Sequence, residues 1–301
     1  MLDPLELRQL LSNTFANGVL TVTGTEQNDT ISITRANNKI VVTLNGSSQQ
    51  FSGVERINLN ARGGNDNVNF STISIPVVAR GWSGNDVIFG GKAGDKLFGD
   101  GGTDQLYGNG GDDRLDGGSG SFDLLSGGDG NDVADYSRRE EDLSLSIKRG
   151  GYDDGAAGEN DNIRDDVEAI ASGEGDDTIT GWKFDDTLFG GDGDDSINGD
   201  DGRDVINGDD GDDSIHGNDG SDTIRGGDGD DEIDAGGGDH NFLYGGDGDD
   251  LLDSRNDSTD DAVDGGPGHD FAKIDVRLGA FGEFEDADNT RSVRHVNERF
   301  I

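Results

Sequence analysis

Large apolar residues recur along this chain at a spacing that is neither the 3.6 of a helix nor the two of a simple strand. Ile88, Leu97, Leu106 and Leu115 lie nine apart, and so do Ile179, Leu188, Ile197, Ile206, Ile215, Ile224 and Ile233. Each is flanked by residues that are mostly polar. A single apolar side chain between two outward ones predicts a three-residue strand with its middle residue facing inward. So short a strand cannot stand alone, so successive units must stack to bury the apolar file. Nearer the amino end the pattern changes. VLTVT (19–23), IVVTL (40–44) and VERINLNA (54–61) alternate with period two, as half-buried strands do.

The residues between the apolar positions repeat as well. From Gly81 the chain reads GWSGNDVIF, GGKAGDKLF, GDGGTDQLY, GNGGDDRLD, then GGSGSFDLLS with one inserted residue, then GGDGNDVAD. From Ser172 it reads SGEGDDTIT, GWKFDDTLF, GGDGDDSIN, GDDGRDVIN, GDDGDDSIH, GNDGSDTIR and GGDGDDEID, and GGDGDDLLD and GGPGHDFAK follow further on. The template is G-G-x-G-x-D-x-U-x, with U apolar. Its sixth position holds Asp86, Asp95, Asp104, Asp113, Asp123 and Asp132 in the first run. In the second it holds Asp177, Asp186, Asp195, Asp204, Asp213, Asp222 and Asp231, then Asp250 and Asp270. Low complexity alone enriches Gly and Asp, but it does not keep an apolar residue in register with them.

Glycines in the first six positions allow a sharp turn and leave backbone carbonyls exposed. Two units then make one 18-residue turn of a flattened coil with a strand on each side. Units n and n+2 lie over one another, so Asp177, Asp195, Asp213 and Asp231 fall in one column and Asp186, Asp204 and Asp222 in the other. Like carboxylates repeating at the ~4.8 Å spacing of neighbouring strands repel unless a cation lies between them. Ca²⁺ takes six to eight oxygens and mixes carboxylate with carbonyl freely, and pairs two units apart provide roughly ten such sites.

Charge sharpens this reading. The chain has 65 acidic and 23 basic residues, a net charge of −42, 53 glycines and no cysteine. A polyanion of this kind is a poor partner for nucleic acid. Without cysteine there is no thiolate site or disulfide framework, while carboxylates and carbonyls are hard ligands suited to calcium. No apolar run reaches the ~20 residues of a membrane-spanning helix.

These units resemble the repeats-in-toxin, or hemolysin-type, calcium-binding repeats. The resemblance covers residues 81–136 and 172–275 and implies an all-β fold, a right-handed parallel β-roll or β-helix solenoid in a secreted or cell-surface bacterial protein. It also implies ligands from carbonyls of positions one to four and from the sixth-position Asp, so that Gly191, Gly193, Asp195, Gly208, Asp210 and Asp213 share one ion. Phe184 stands where the template has a turn glycine, and His240 where it has the sixth-position Asp. The expected organisation is a leader or cap (1–18), wider solenoid rungs with degenerate repeats (19–80), a first calcium roll (81–136) and a linking excursion (137–171). A second roll (172–275) and a carboxyl-terminal cap or tail (276–301) complete it. GTEQNDTIS (24–32) and ARGGNDNVN (61–69) are the degenerate repeats, and DLSLSI and DNIRDDVEAI are the strand-like parts of the excursion.

Catalytic readings find little support. Neither an H-E-x-x-H zinc helix nor a G-x-S-x-G elbow occurs, and His216, His240, His269 and His295 form no partner pattern. Acidic pairs such as Asp194–Asp195 recur in nearly every unit, which points to metal and away from a unique active site. Phe89 and Tyr107 share one face, with Phe98 on the other and Phe189 in the later run. Packing beneath neighbouring segments is the expected role of these aromatics. The sequence thus reads as a non-catalytic structural protein that folds on binding several Ca²⁺ ions. The alternative is an adhesion module for a glycan or cell-surface partner, and the weaker third is a polysaccharide-modifying enzyme with its site in 19–80.

Overall fold

The computed structural model describes residues 13–120, 122–148, 151–238, 240–255 and 261–274. Residues 1–12 of the leader or cap and the whole carboxyl-terminal tail (276–301) therefore lie outside the described residues. Every regular element among the described residues is a strand, and no helix is long and apolar enough to cross a membrane. The chain divides into two compact units, one of residues 1–135 with 149–167 and one of 136–148 with 168–301. The excursion at 137–171 is thus shared, its middle belonging to the first unit and its ends to the second.

Both units are β-solenoids. On one side of the first, Val19–Thr23, Arg56–Asn60, Val77–Ser83, Lys96–Gly102, Arg114–Asp116 and Val133–Asp135 pair in parallel. On the other side Thr30–Ala36, Asn67–Asn69, Val87–Phe89, Gln105–Gly110, Leu124–Asp129 and Asn162–Ile163 do the same. The registers put Leu59, Ala79, Leu97, Leu115 and Ala134 in one buried file, and Ile31, Val68, Ile88, Leu106, Leu125 and Ile163 in the other. Each Leu, Ile or Val in these files contributes about 1.5–3 kcal/mol on burial. The wider amino-terminal rungs bury two residues per strand, such as Leu20 with Val22.

Residues 30–52 depart from a pure coil. Lys39–Leu44 folds back antiparallel to Thr30–Ala36, and Ser47–Ser52 turns again to run antiparallel to Lys39–Leu44. The cause is local: Asn37–Asn38 and Asn45–Gly46 all have positive φ, the conformation of a two-residue hairpin turn. A chain reversed in two residues returns beside itself and cannot cross to the opposite side of the coil.

In the second unit Ala169–Ala171, Thr187–Asp192, Val205–Asp210, Thr223–Asp228, Phe242–Asp247 and Ala262–Asp264 form one parallel face. Leu143–Ser146, Thr178–Thr180, Ser196–Asn198, Ser214–His216, Glu232–Asp234, Leu251–Asp253 and Phe271–Lys273 form the other. Leu188 pairs with Ile206 and Ile206 with Ile224, which is the expected 18-residue turn. On the first face pairing continues past the three strand residues, through Gly191 with Asp209 and Asp192 with Asp210. The excursion adds rungs to both units, since Ile163 pairs with Leu125 and Leu145 with Ile179.

Candidate metal centres

The sixth-position aspartates, Asp186 apart, are held by the rung before them. The Asp195 N–H donates to Asp213 Oδ1 at 2.8 Å, the Asp213 N–H to Asp231 Oδ1 at 2.9 Å and the Asp231 N–H to Asp250 Oδ1 at 3.0 Å. The same bond links Asp177 to Asp195, Asp250 to Asp270, Asp186 to Asp204 and Asp204 to Asp222. In the first unit it links Asp86 to Asp104, Asp104 to Asp123, Asp95 to Asp113 and Asp113 to Asp132. All of these side chains are buried. Stacking identical turns thus turns a sequence repeat into two continuous carboxylate ladders in each unit.

The ladders run beyond the two regular runs, through the sixth positions of the degenerate repeats and into the excursion. Asp29 donates to Asp66 and Asp66 to Asp86, while Asp123 donates to Asp161 in the excursion. The loose unit near 240 needs a correction: Asn241, not His240, occupies the sixth position. Its Oδ1 accepts from the Asp222 N–H at 2.8 Å, and its own N–H donates to Asp261 Oδ1. One inserted residue shifts that unit, and the apolar Leu243, two positions on and paired with Ile224, was the signal for the true register. Position five carries a second, outer ladder that runs the opposite way. There the N–H of Asp212 donates to Asp194 Oδ1 and that of Asp230 to Asp212 Oδ1, which explains why this position favours Asp and Asn.

The second carboxylate oxygen carries the chemistry. Oδ2 of Asp86, Asp104, Asp113, Asp195, Asp204, Asp213, Asp222, Asp231, Asp250 and Asp270 is buried with no hydrogen-bond donor. It points at the first glycine of its own unit and, in all but Asp270, towards the first-position carbonyl two units on. A Cβ built on Gly208 would fall on Asp213 Oδ2 and lie 2.8 Å from the Gly226 carbonyl oxygen; on Gly226 it would fall on Asp231 Oδ2, 2.7 Å from the Gly245 oxygen. On Gly190 it would meet Asp195 Oδ2 and lie 2.5 Å from the Gly208 oxygen. Glycine stands here because two oxygens close in on its Cα. Each Oδ2 is thus an acceptor lying beside other oxygens and lacking a donor of its own.

Three sixth-position residues differ. Asp95 Oδ2 accepts from the Gly91 N–H and Asp186 Oδ2 from the Trp182 N–H, each at 2.6 Å, and Asp177 Oδ2 accepts from the Ser172 hydroxyl. Of the ligand set inferred around Asp195, the structure brings Asp195, Gly208 and Asp213 together. The Asp210 carbonyl accepts from the Gly193 N–H at 2.8 Å, the Gly193 carbonyl faces Gly211, and Gly191 pairs with Asp209.

Burial without a counter-charge raises these carboxyls far above the ordinary range, against the opposing pull of the ladder N–H. Asp213 is pushed up to about 8, and Asp104, Asp113, Asp195, Asp204 and Asp231 to about 7, with desolvation the main cause and neighbouring carboxylates adding to it. Asp222 and Asp250 rise to about 6, mainly by desolvation. A cation beside Oδ2 would reverse the effect. Among the described residues no three His, Asp or Glu side chains converge on one point. The donors are single carboxylates supplemented by backbone carbonyls, all of them hard oxygens, which fits calcium and not zinc.

Comparison with known families agrees with this donor set. The model of the RTX calcium-binding nonapeptide repeat (four copies) matches residues 78–97, 89–121, 118–136, 171–206, 183–215 and 207–239. No curated protein matches the chain. Repeats of this family bind calcium, and the stretches 78–136 and 171–239 are RTX calcium-binding nonapeptide repeats folded into β-solenoid.

Proposed function

We propose that this protein is a non-catalytic structural element of the bacterial exterior, secreted or displayed at the cell surface, whose repeats fold when calcium arrives. The observation that carries the reading is the set of buried Oδ2 atoms without donors, all but that of Asp270 beside a carbonyl of the next turn. In this reading the sixth-position aspartates hold the ions, with first-position carbonyls such as that of Gly208 as further ligands. Calcium supplies the positive charge that lets these carboxylates stay ionised while buried. The chain's own residues set the spacing, since each ladder N–H fixes Oδ1 and leaves Oδ2 turned inward. Extracellular calcium modules bind at about 10⁻⁴–10⁻³ M, so such repeats stay unfilled in the cytosol and fill outside it.

Equilibrium dialysis with ⁴⁵Ca²⁺ tests this directly. Wild type is expected to bind roughly ten ions, and Asp204→Asn to lose one or two while keeping its β-sheet signal in calcium, because an amide Oδ1 still accepts the ladder bond. Unchanged stoichiometry in Asp204→Asn, or no binding by the wild type, refutes the assignment.

A further inference from the structure

The outward side of one face of the second unit differs from the rest of this acidic chain. In the four strands Thr187–Asp192, Val205–Asp210, Thr223–Asp228 and Phe242–Asp247, the seventh positions are Thr187, Val205, Thr223 and Phe242. The ninth are Phe189, Asn207, Arg225 and Tyr244. None of the eight is a carboxylate, in a protein with 65 acidic residues. Phe189, Phe242 and Tyr244 are 36%, 43% and 39% exposed, and Val205 is exposed as well. The Arg225 guanidinium lies 5.3 Å from the Tyr244 ring centre, which holds a cation beside an aromatic surface. By contrast Phe89 and Tyr107 of the first unit stack on each other at 4.8 Å, and Phe98 is buried beneath Arg80.

The ninth-position file is an ordered series: aromatic, amide, guanidinium, aromatic. Its ends lie three rungs apart, roughly 14 Å at the usual strand spacing. Aromatic rings at both ends present apolar surface to the C–H faces of sugar rings. Between them Asn207, Thr223 and Arg225 offer hydrogen bonds suited to hydroxyl groups. Beyond the turn glycines of the same strands runs an acidic file, Asp192, Asp210, Asp228 and Asp247, paired rung to rung. That flank repels a polyanion and leaves an uncharged chain as the matching occupant. We infer that this face binds an extended, uncharged polysaccharide, with Phe189 and Tyr244 as stacking platforms and Arg225 and Asn207 as hydroxyl contacts. The inference rests on the calcium-loaded repeats being folded, but not on any particular ion.

The test is affinity electrophoresis of the full chain in 5 mM calcium through gels containing hydroxyethylcellulose, glycol chitin or polygalacturonate. Calcium stoichiometry and sedimentation are measured on the same samples. Expected are retardation by one of the two uncharged polymers, at least tenfold weaker binding for Phe189→Ala and Tyr244→Ala, and calcium binding unchanged in both variants. Retardation by polygalacturonate alone, by no polymer, or equally in wild type and both variants overturns the proposal. So does self-association of the wild type that either alanine substitution abolishes, since the face would then serve a second copy. Loss of calcium binding by the wild type would instead strike the reading of the ladders, so the two failures are distinguishable.

Discussion

Withdrawing calcium at pH 7.5 should unfold the repeats, and three side chains are enough to show why. Asp195, Asp213 and Asp231 stand in one ladder, at most 2% exposed, with carboxyls raised from 3.8 to about 7, 8 and 7 by desolvation. In the unfolded chain all three are ionised near neutrality. Folding without metal forces each to take up a proton or to remain charged out of water, at a cost on the order of 4 kcal/mol apiece. Three such costs already match the whole stability of an ordinary domain, about 5–15 kcal/mol, and the remaining ladder positions add to them. One buried Ile or Leu per nine residues contributes too little to offset this. Far-ultraviolet circular dichroism in EGTA, followed by back-titration with calcium, is the assay. The expected result is a disordered spectrum that converts cooperatively to a β spectrum between about 0.1 and 1 mM free calcium. A full β spectrum in chelator, unchanged by millimolar calcium, would refute the reasoning.

Acid should partly replace calcium. Because these folded-state values are raised, their contribution favours the metal-free fold fully below about pH 3.8 and is lost as pH rises through about 6 to 8. Metal-free protein brought from pH 8 to pH 5 at low concentration should therefore regain β signal, and a spectrum that stays disordered down to pH 4 counts against the ladder. Ile206→Ala, which empties a fully buried position, should lower the stability of the calcium form by about 2–5 kcal/mol in denaturant unfolding. Asn241→Asp restores a carboxylate to its ladder and should add one bound ion in dialysis while making the metal-free chain harder to fold. An unchanged ion count would mean that the insertion beside Asn241 removes the other ligands.

How far the primary structure determines this protein can be judged residue by residue. The nine-residue spacing of Ile197, Ile206, Ile215 and Ile224 specifies the strand, the inward residue and the 18-residue turn, because a single apolar side chain per unit leaves no other way to build a core. The same spacing places Asp195 above Asp213. The Asn45–Gly46 hairpin was also written locally, although the period-two alternation around it conceals the change of direction. Other features needed the folded chain. That Asn241 and not His240 enters the ladder, that Asp161 extends it, and that the excursion lays one rung on each unit all depend on which backbone N–H groups meet across the stack. The division of labour within a carboxylate belongs to the same level. One oxygen is tied to a backbone N–H 18 residues earlier, and the other is turned towards the first glycine of its own unit and a carbonyl of the next turn, an arrangement that only stacked turns can make. Composition can state that such a chain is rich in oxygen ligands. Only stacking decides which of those oxygens are dried and left without donors.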